Sequence, residues 1–150
     1  MEKALTTDTA AVLIEPVQGE GGINVPSPGY LSSVASLCKA NGTCLIVDEI
    51  QTGCFRTGPS FICKAENVTP DFLTVAKGIA GGFPMGAVAV NEKISRKAET
   101  GDHGGTYNGN PLGCASAASV LEYMMSNDIG THVESIGSAA YNFCTRLKTL

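Results

Sequence analysis

Apolar residues fall into four short runs along this chain: "TAAVLIEP", "TCLIVDE", "PDFLTVAK" and "GAVAV". Each is too brief for a helix and none alternates with polar residues, so each predicts a buried strand. Between the first two, Leu31, Val34, Leu37 and Cys38 recur at helical spacing. Ser27 is the expected N-cap of that helix, Pro28 its first turn and Gly42 its C-cap. "PLGCASAASVLEYMM", from Pro111 to Met125, is alanine-rich with an apolar face and predicts a second helix. A third is expected through "HVESIGSAAYNFCTRLKTL". Strands of this kind, separated by helices and loops, imply an α/β fold with a largely parallel sheet covered on both faces. "MEKALTTDTA" offers no clear first strand, and "RLKTL" stops inside an amphipathic pattern, so the chain reads as part of a larger domain.

Ligands of such sheets collect beyond the carboxyl ends of the strands. Glu15, Asp48 and Lys77 all lie at or just past strand ends. In "CLIVDEIQTG" three aliphatics stop at Asp48, which either caps the next turn or pairs with a cationic ring nitrogen. Gln51 offers an amide near the same point, and Ile50, on the face of Asp48, would pack on a flat ring. Lys77 sits between an apolar approach and a glycine exit. It is either solvated or an amine held in a pocket, where it would form an imine with an aldehyde.

Glycine is abundant, 18 residues of 150, against an average near ~7%, and is concentrated in "GEGG", "KGIAGG" and "GDHGGTYNGNPLG". The last is either a long turn or an anion cradle of backbone N–H groups and the Thr106 hydroxyl ahead of a helix, with His103 orienting the loop. Glu15 and Glu20 flank "PVQG", as solvated loop acids or as partners for a substrate amine or an arginine.

Charge narrows the classes. The net charge is −4 and lysine and arginine are scattered, which argues against a nucleic-acid partner. No run reaches the ~18–20 apolar residues of a membrane span, and the N-terminus lacks a basic segment followed by an apolar one. A cytoplasmic protein is expected. The six cysteines form no Cys-x-x-Cys pair and there are only two histidines, so reduced thiols and no metal site are expected.

Four motifs in order, "IEPVQGEGG", "VDEIQTGCFRTG", "AKGIAGGFPMGA" and "HGGTYNGNPLGC", resemble the class III, pyridoxal-phosphate-dependent aminotransferases of fold type I. The acetylornithine and ornithine aminotransferases are the nearest in pattern. The resemblance implies a three-layer sandwich with a mostly parallel sheet, the incomplete large domain of that fold. Residues 1–120 would be the central part of the pyridoxal-phosphate-binding domain, and 121–150 a helical segment leading toward a C-terminal small domain.

It further implies that Lys77 forms the aldimine with pyridoxal 5′-phosphate and shuttles the catalytic proton. Asp48 would pair with the pyridinium nitrogen, Ile50 pack on the ring and Gln51 bond its phenolic oxygen. Thr106 would bind the phosphate of the neighbouring subunit's cofactor in a homodimer. Glu20 would pair with a substrate-binding arginine, and Gly105 lies at the substrate, where relatives commonly have serine. Phe55 stands where glycine is usual before "RTG", and Asn108 replaces another glycine. The implied reaction is transamination from an ornithine-like or acetylornithine-like donor to a keto acid such as 2-oxoglutarate, as in arginine biosynthesis. Two alternatives stay open: 4-aminobutyrate or another ω-amino donor, and a non-catalytic fragment that binds cofactor or a partner subunit.

Overall fold

The computed structural model of the chain describes residues 2–148. Its strands are β1 (Ala11–Ile14), β2 (Cys44–Asp48), β3 (Phe72–Val75) and β4 (Ala87–Val90), in that order across one sheet. β1, β2 and β3 are parallel, and β4 is an antiparallel edge strand. The helices are α1 (Tyr30–Asn41), α2 (Ile62–Ala65), α3 (Glu92–Ser95), α4 (Pro111–Ser126) and α5 (Ile129–Leu147). Every strand and both long C-terminal helices lie where the apolar pattern predicts them. The α/β class with a mostly parallel sheet holds, and the sheet is incomplete.

α1 starts later than expected. "SPGY" forms a type II turn: Tyr30 N–H donates to Ser27 O at 3.1 Å, and Gly29 has φ 78, ψ 2. That turn favours proline at its second position and requires positive φ at its third, and the Pro-Gly pair suits both. Gly29 rather than Ser27 therefore precedes the helix, and no side chain caps it. The C-cap is Gly42, as expected.

Sheet alternation sends Val12, Leu45 and Val47 to one face, where they pack with Leu31, Val34 and Cys38 of α1 and with Cys63 and Val68. A second cluster joins Val75, Ile79 and Ala80 to Ala117 of α4, with Cys54 beside them. At the opposite end of the sheet from Asp48, Asp71 accepts from Leu45 N–H and Asn91 Nδ2, both at 2.8 Å, and so ties three strands together.

The other sheet face is open. Leu13 is 66% exposed and Val88 63%. A compact monomer of 15.5 kDa exposes about 7,200 Å², whereas this chain exposes 10352 Å². The excess is several times the ~800 Å² that one partner buries in a standard interface. Covering it is favourable, because apolar area gains about 25 cal/mol per Å² on burial. The purified chain is therefore expected to self-associate in sedimentation velocity; a monodisperse monomer would show that the open face tolerates water.

Candidate active site at the strand ends

Asp48 is the last residue of β2, and its Cα partner across the ladder is Thr74 of β3. Lys77 follows β3 by two residues and opens a 3₁₀ turn, Lys77–Ala80. Acid and amine thus stand at the same, carboxyl-terminal end of adjacent parallel strands. Lys77 has φ 52, a left-handed backbone for a non-glycine residue, which costs on the order of 1–2 kcal/mol. Burial of Ile79 and Ala80, and the bond from Ser116 Oγ to Ala80 O at 3.0 Å, hold that turn in place. Lys77 is one of six non-glycine residues with positive φ among the described residues, with Ile23, Cys54, Phe55, Asn67 and Asp128. The Lys77 side chain itself is exposed, so the expected enclosing pocket is not formed by the described residues.

The Asp48 carboxylate caps the turn, the first of its two expected roles. Oδ1 accepts from Ile50 N–H at 2.9 Å, capping the turn, and the residue also borders a cleft of about 480 Å³ with Glu15, Gln18, Asn24 and Tyr30. Ile50 and Gln51 lie in the turn itself, both half-buried. Gln51 packs against Gly19, where a Cβ would lie 2.9 Å from its Cγ. Glu15 accepts from Gly19 N–H at 2.9 Å, so this acid closes its own loop. The "GEGG" segment is thereby brought to the Asp48 turn, with Glu20 exposed on it. Gly105, Thr106 and His103 are exposed on the loop before α4, outside that cleft.

The sequence profile of class-III aminotransferases matches residues 1–149. The chain belongs to that family. It is 46% identical over 138 residues to the acetylornithine aminotransferase of Methanothermobacter thermautotrophicus, covering 92% of this chain and 35% of that one. It is 43% identical over 151 residues to the ornithine aminotransferase of Brevibacillus brevis, covering 100% of this chain and 37% of that one. Among solved structures it superposes on the ornithine aminotransferase of Toxoplasma gondii with a TM-score of 0.89 and 40% identity, over 97% of this chain and 34% of that one. The chain therefore spans about a third of the length of these relatives.

Class-III aminotransferases are pyridoxal-phosphate-dependent enzymes. The strand-end residues fit that cofactor in kind: a half-buried acid for a ring nitrogen, an amine for an aldehyde, and an amide in the turn that follows the acid.

One residue of this aminotransferase motif carries more of the structure than sequence reading assigned to it. Glu49, next to Asp48, is 1% exposed. Its carboxylate accepts from Thr52 Oγ1 at 2.9 Å, Ile62 N–H at 2.9 Å and Cys63 N–H at 2.8 Å. No basic residue stands among these partners; three donors hold the charge. The signal available was the doubled acid after a buried strand, since side-chain alternation sends one of the pair inward. Gly53 completes the knot: a Cβ there would lie 2.7 Å from Glu49 O and 2.9 Å from the Phe61 ring. Nothing but glycine fits.

Removing the carboxylate strands those donors at about 1–3 kcal/mol each. Glu49→Ala should therefore lower stability by roughly 3 kcal/mol or more in urea melts, and Glu49→Gln, which keeps one acceptor, by less. Equal losses would mean that packing, and not the three bonds, holds the turn.

Cys63 is affected by the same carboxylate. Burial first, and then the bond and charge of Glu49, push its thiol from the ordinary 9.0 up to about 12. Its thiolate is suppressed at neutral pH, so iodoacetamide at about pH 8 should label the exposed Cys114 and Cys144 and spare Cys63. Peptide mass spectrometry reads this directly. Because the unfolded thiol ionises first, the stability tied to Cys63 is complete below 9.0 and is lost as pH rises toward about 12. Early labelling of Cys63 would contradict its burial against Glu49.

Proposed function

We propose that this chain forms the cofactor-binding centre of an aminotransferase that moves an amino group from an ornithine-like or acetylornithine-like donor to a keto acid such as 2-oxoglutarate. The observation that carries the reading is the placement of Asp48 and Lys77 at adjacent strand ends within a class-III aminotransferase sequence. In this reading Lys77 Nζ holds pyridoxal 5′-phosphate, Asp48 pairs with the ring nitrogen, Ile50 packs on the ring and Gln51 bonds the phenolic oxygen. Thr106 reaches the phosphate of the neighbouring subunit's cofactor in a homodimer, a role that its exposure suits. Glu20 pairs with a substrate-binding arginine and Gly105 lies beside the substrate.

When bound, the cofactor ring takes up the electron pair released at the donor carbon. The Asp48 carboxylate keeps the ring nitrogen protonated for that purpose. Lys77 Nζ, once free, would move the proton from the donor carbon to the carbon that had been the cofactor's aldehyde. Residues 1–120 supply the central part of the large domain and 121–150 lead toward the small one. Arginine biosynthesis in the cytoplasm is the setting these donors suggest. Gly105, where acetylornithine aminotransferases are expected to carry serine, leaves 4-aminobutyrate or another ω-amino donor as a second reading, and a donor screen separates the two.

The test is direct. Purified protein mixed with pyridoxal phosphate should gain visible absorbance, and borohydride should fix the label on Lys77, with the label lost in Lys77→Ala. Label scattered over surface lysines, or none, would overturn the reading.

A further inference from the structure

Among the described residues, one buried side-chain polar atom lacks a hydrogen-bond partner: Oγ1 of Thr74. A buried hydroxyl without a partner disfavours the fold, and valine has the same shape without that cost. Threonine at this position therefore calls for a use.

The register supplies one. Thr74 and Asp48 are Cα partners across the parallel ladder, and paired residues project from the same face of the sheet. Their neighbours Val47 and Leu73 project from the other face, into the core. Strands about 4.8 Å apart place a hydroxyl on one within bonding reach of a carboxylate on the next. Asp48 can accept it: Ile50 N–H engages Oδ1, and among the described residues Oδ2 accepts no bond. Thr74 also anchors this strand end through its backbone, since its carbonyl accepts from Glu49 N–H at 3.0 Å.

We propose that Thr74 is a positioning residue for the cofactor: its hydroxyl donates to the free oxygen of Asp48 when the ring nitrogen is in place, fixing the direction of the carboxylate. The inference rests on the reading of Asp48 as the acid of the cofactor ring. A bond to a carboxylate is charge-assisted and among the stronger kinds. It is made where a second charge, the ring nitrogen, holds the carboxylate in one orientation. Among the described residues no other group takes up the hydroxyl.

Thr74→Val and Thr74→Ser test this in the full chain, with three readouts: the melting temperature of the cofactor-free protein, the dissociation constant for pyridoxal phosphate, and the pH titration of the visible band. For Thr74→Val the cofactor-free melting temperature should hold or rise, because an unpaired hydroxyl is removed. Its affinity for the cofactor should fall about tenfold, with a shifted titration of the visible band. Thr74→Ser should restore both affinity and titration.

A Thr74→Val protein that binds as tightly as wild type overturns the inference. So does one whose cofactor-free melting temperature falls in step with affinity, since that is the mark of a structural role alone. Borohydride trapping of wild type runs alongside. Lys77 labelled in wild type with unchanged affinity in Thr74→Val sinks this inference and leaves the aminotransferase reading standing. No label on Lys77 in wild type sinks both.

Discussion

A buried carboxylate whose three hydrogen-bond donors are all uncharged organises the end of this sheet where Asp48 stands. Glu49 is withdrawn from water and held by two backbone N–H groups and one hydroxyl. Burying an ion in this way is unfavourable unless each acceptor site is matched. The match is made by the chain near α2, thirteen and fourteen residues further on. The turn between, with Gly53 pressed against Glu49 O and the Phe61 ring, has no room to rearrange. Asp48, Ile50 and Gln51 take their positions from that knot. A binding turn held by side chains on rigid elements keeps its geometry where a free loop would not.

Among the described residues six non-glycine residues have positive φ: Ile23, Asn67 and Asp128, and three that follow the strand ends. Cys54, Phe55 and Lys77 have φ of 54, 64 and 52, all in the left-handed region. A bulky residue there is an outlier, and Phe55 is the bulkiest of the three. What it gains is packing: a Cβ at Gly130 of α5 would lie 3.5 Å from the Phe55 ring, so the helix rides directly on this turn. Asn108 is absent from the left-handed residues, and Gly109 beside it has φ 67. Phe55 is strained and compensated by packing, and Asn108 is not strained.

The open sheet face is the counterpart of the short length. The chain spans about a third of its class-III relatives, and its surface is larger than a compact protein of its mass exposes. Leu13 and Val88 project from strands that a parallel sheet ordinarily covers. Lys77, exposed here, belongs to the same picture: the strand end supplies the amine, and the described residues do not enclose it.

Strand positions, the places of the three long helices and the strand-end acids were legible in the residues alone, because apolar runs and helical periodicity report local burial directly; the one-turn helices α2 and α3 were too short to show a period. Asp48, Lys77 and the loop to Thr106 were picked out by residue type at a strand end or glycine turn. The start of α1 was misread because a Pro-Gly turn and a helix N-terminus share residues, and only the turn's hydrogen bond separates them. That Glu49 is buried and Asp48 available was decided by which face of the sheet α1 and the segment around α2 cover. The pairing of Thr74 with Asp48 depended on strand register, which residues distant in sequence set through space. Sequence determines which groups are available and roughly where the chain turns; packing decides which of them lose water, and so which become fixed points and which remain free to act.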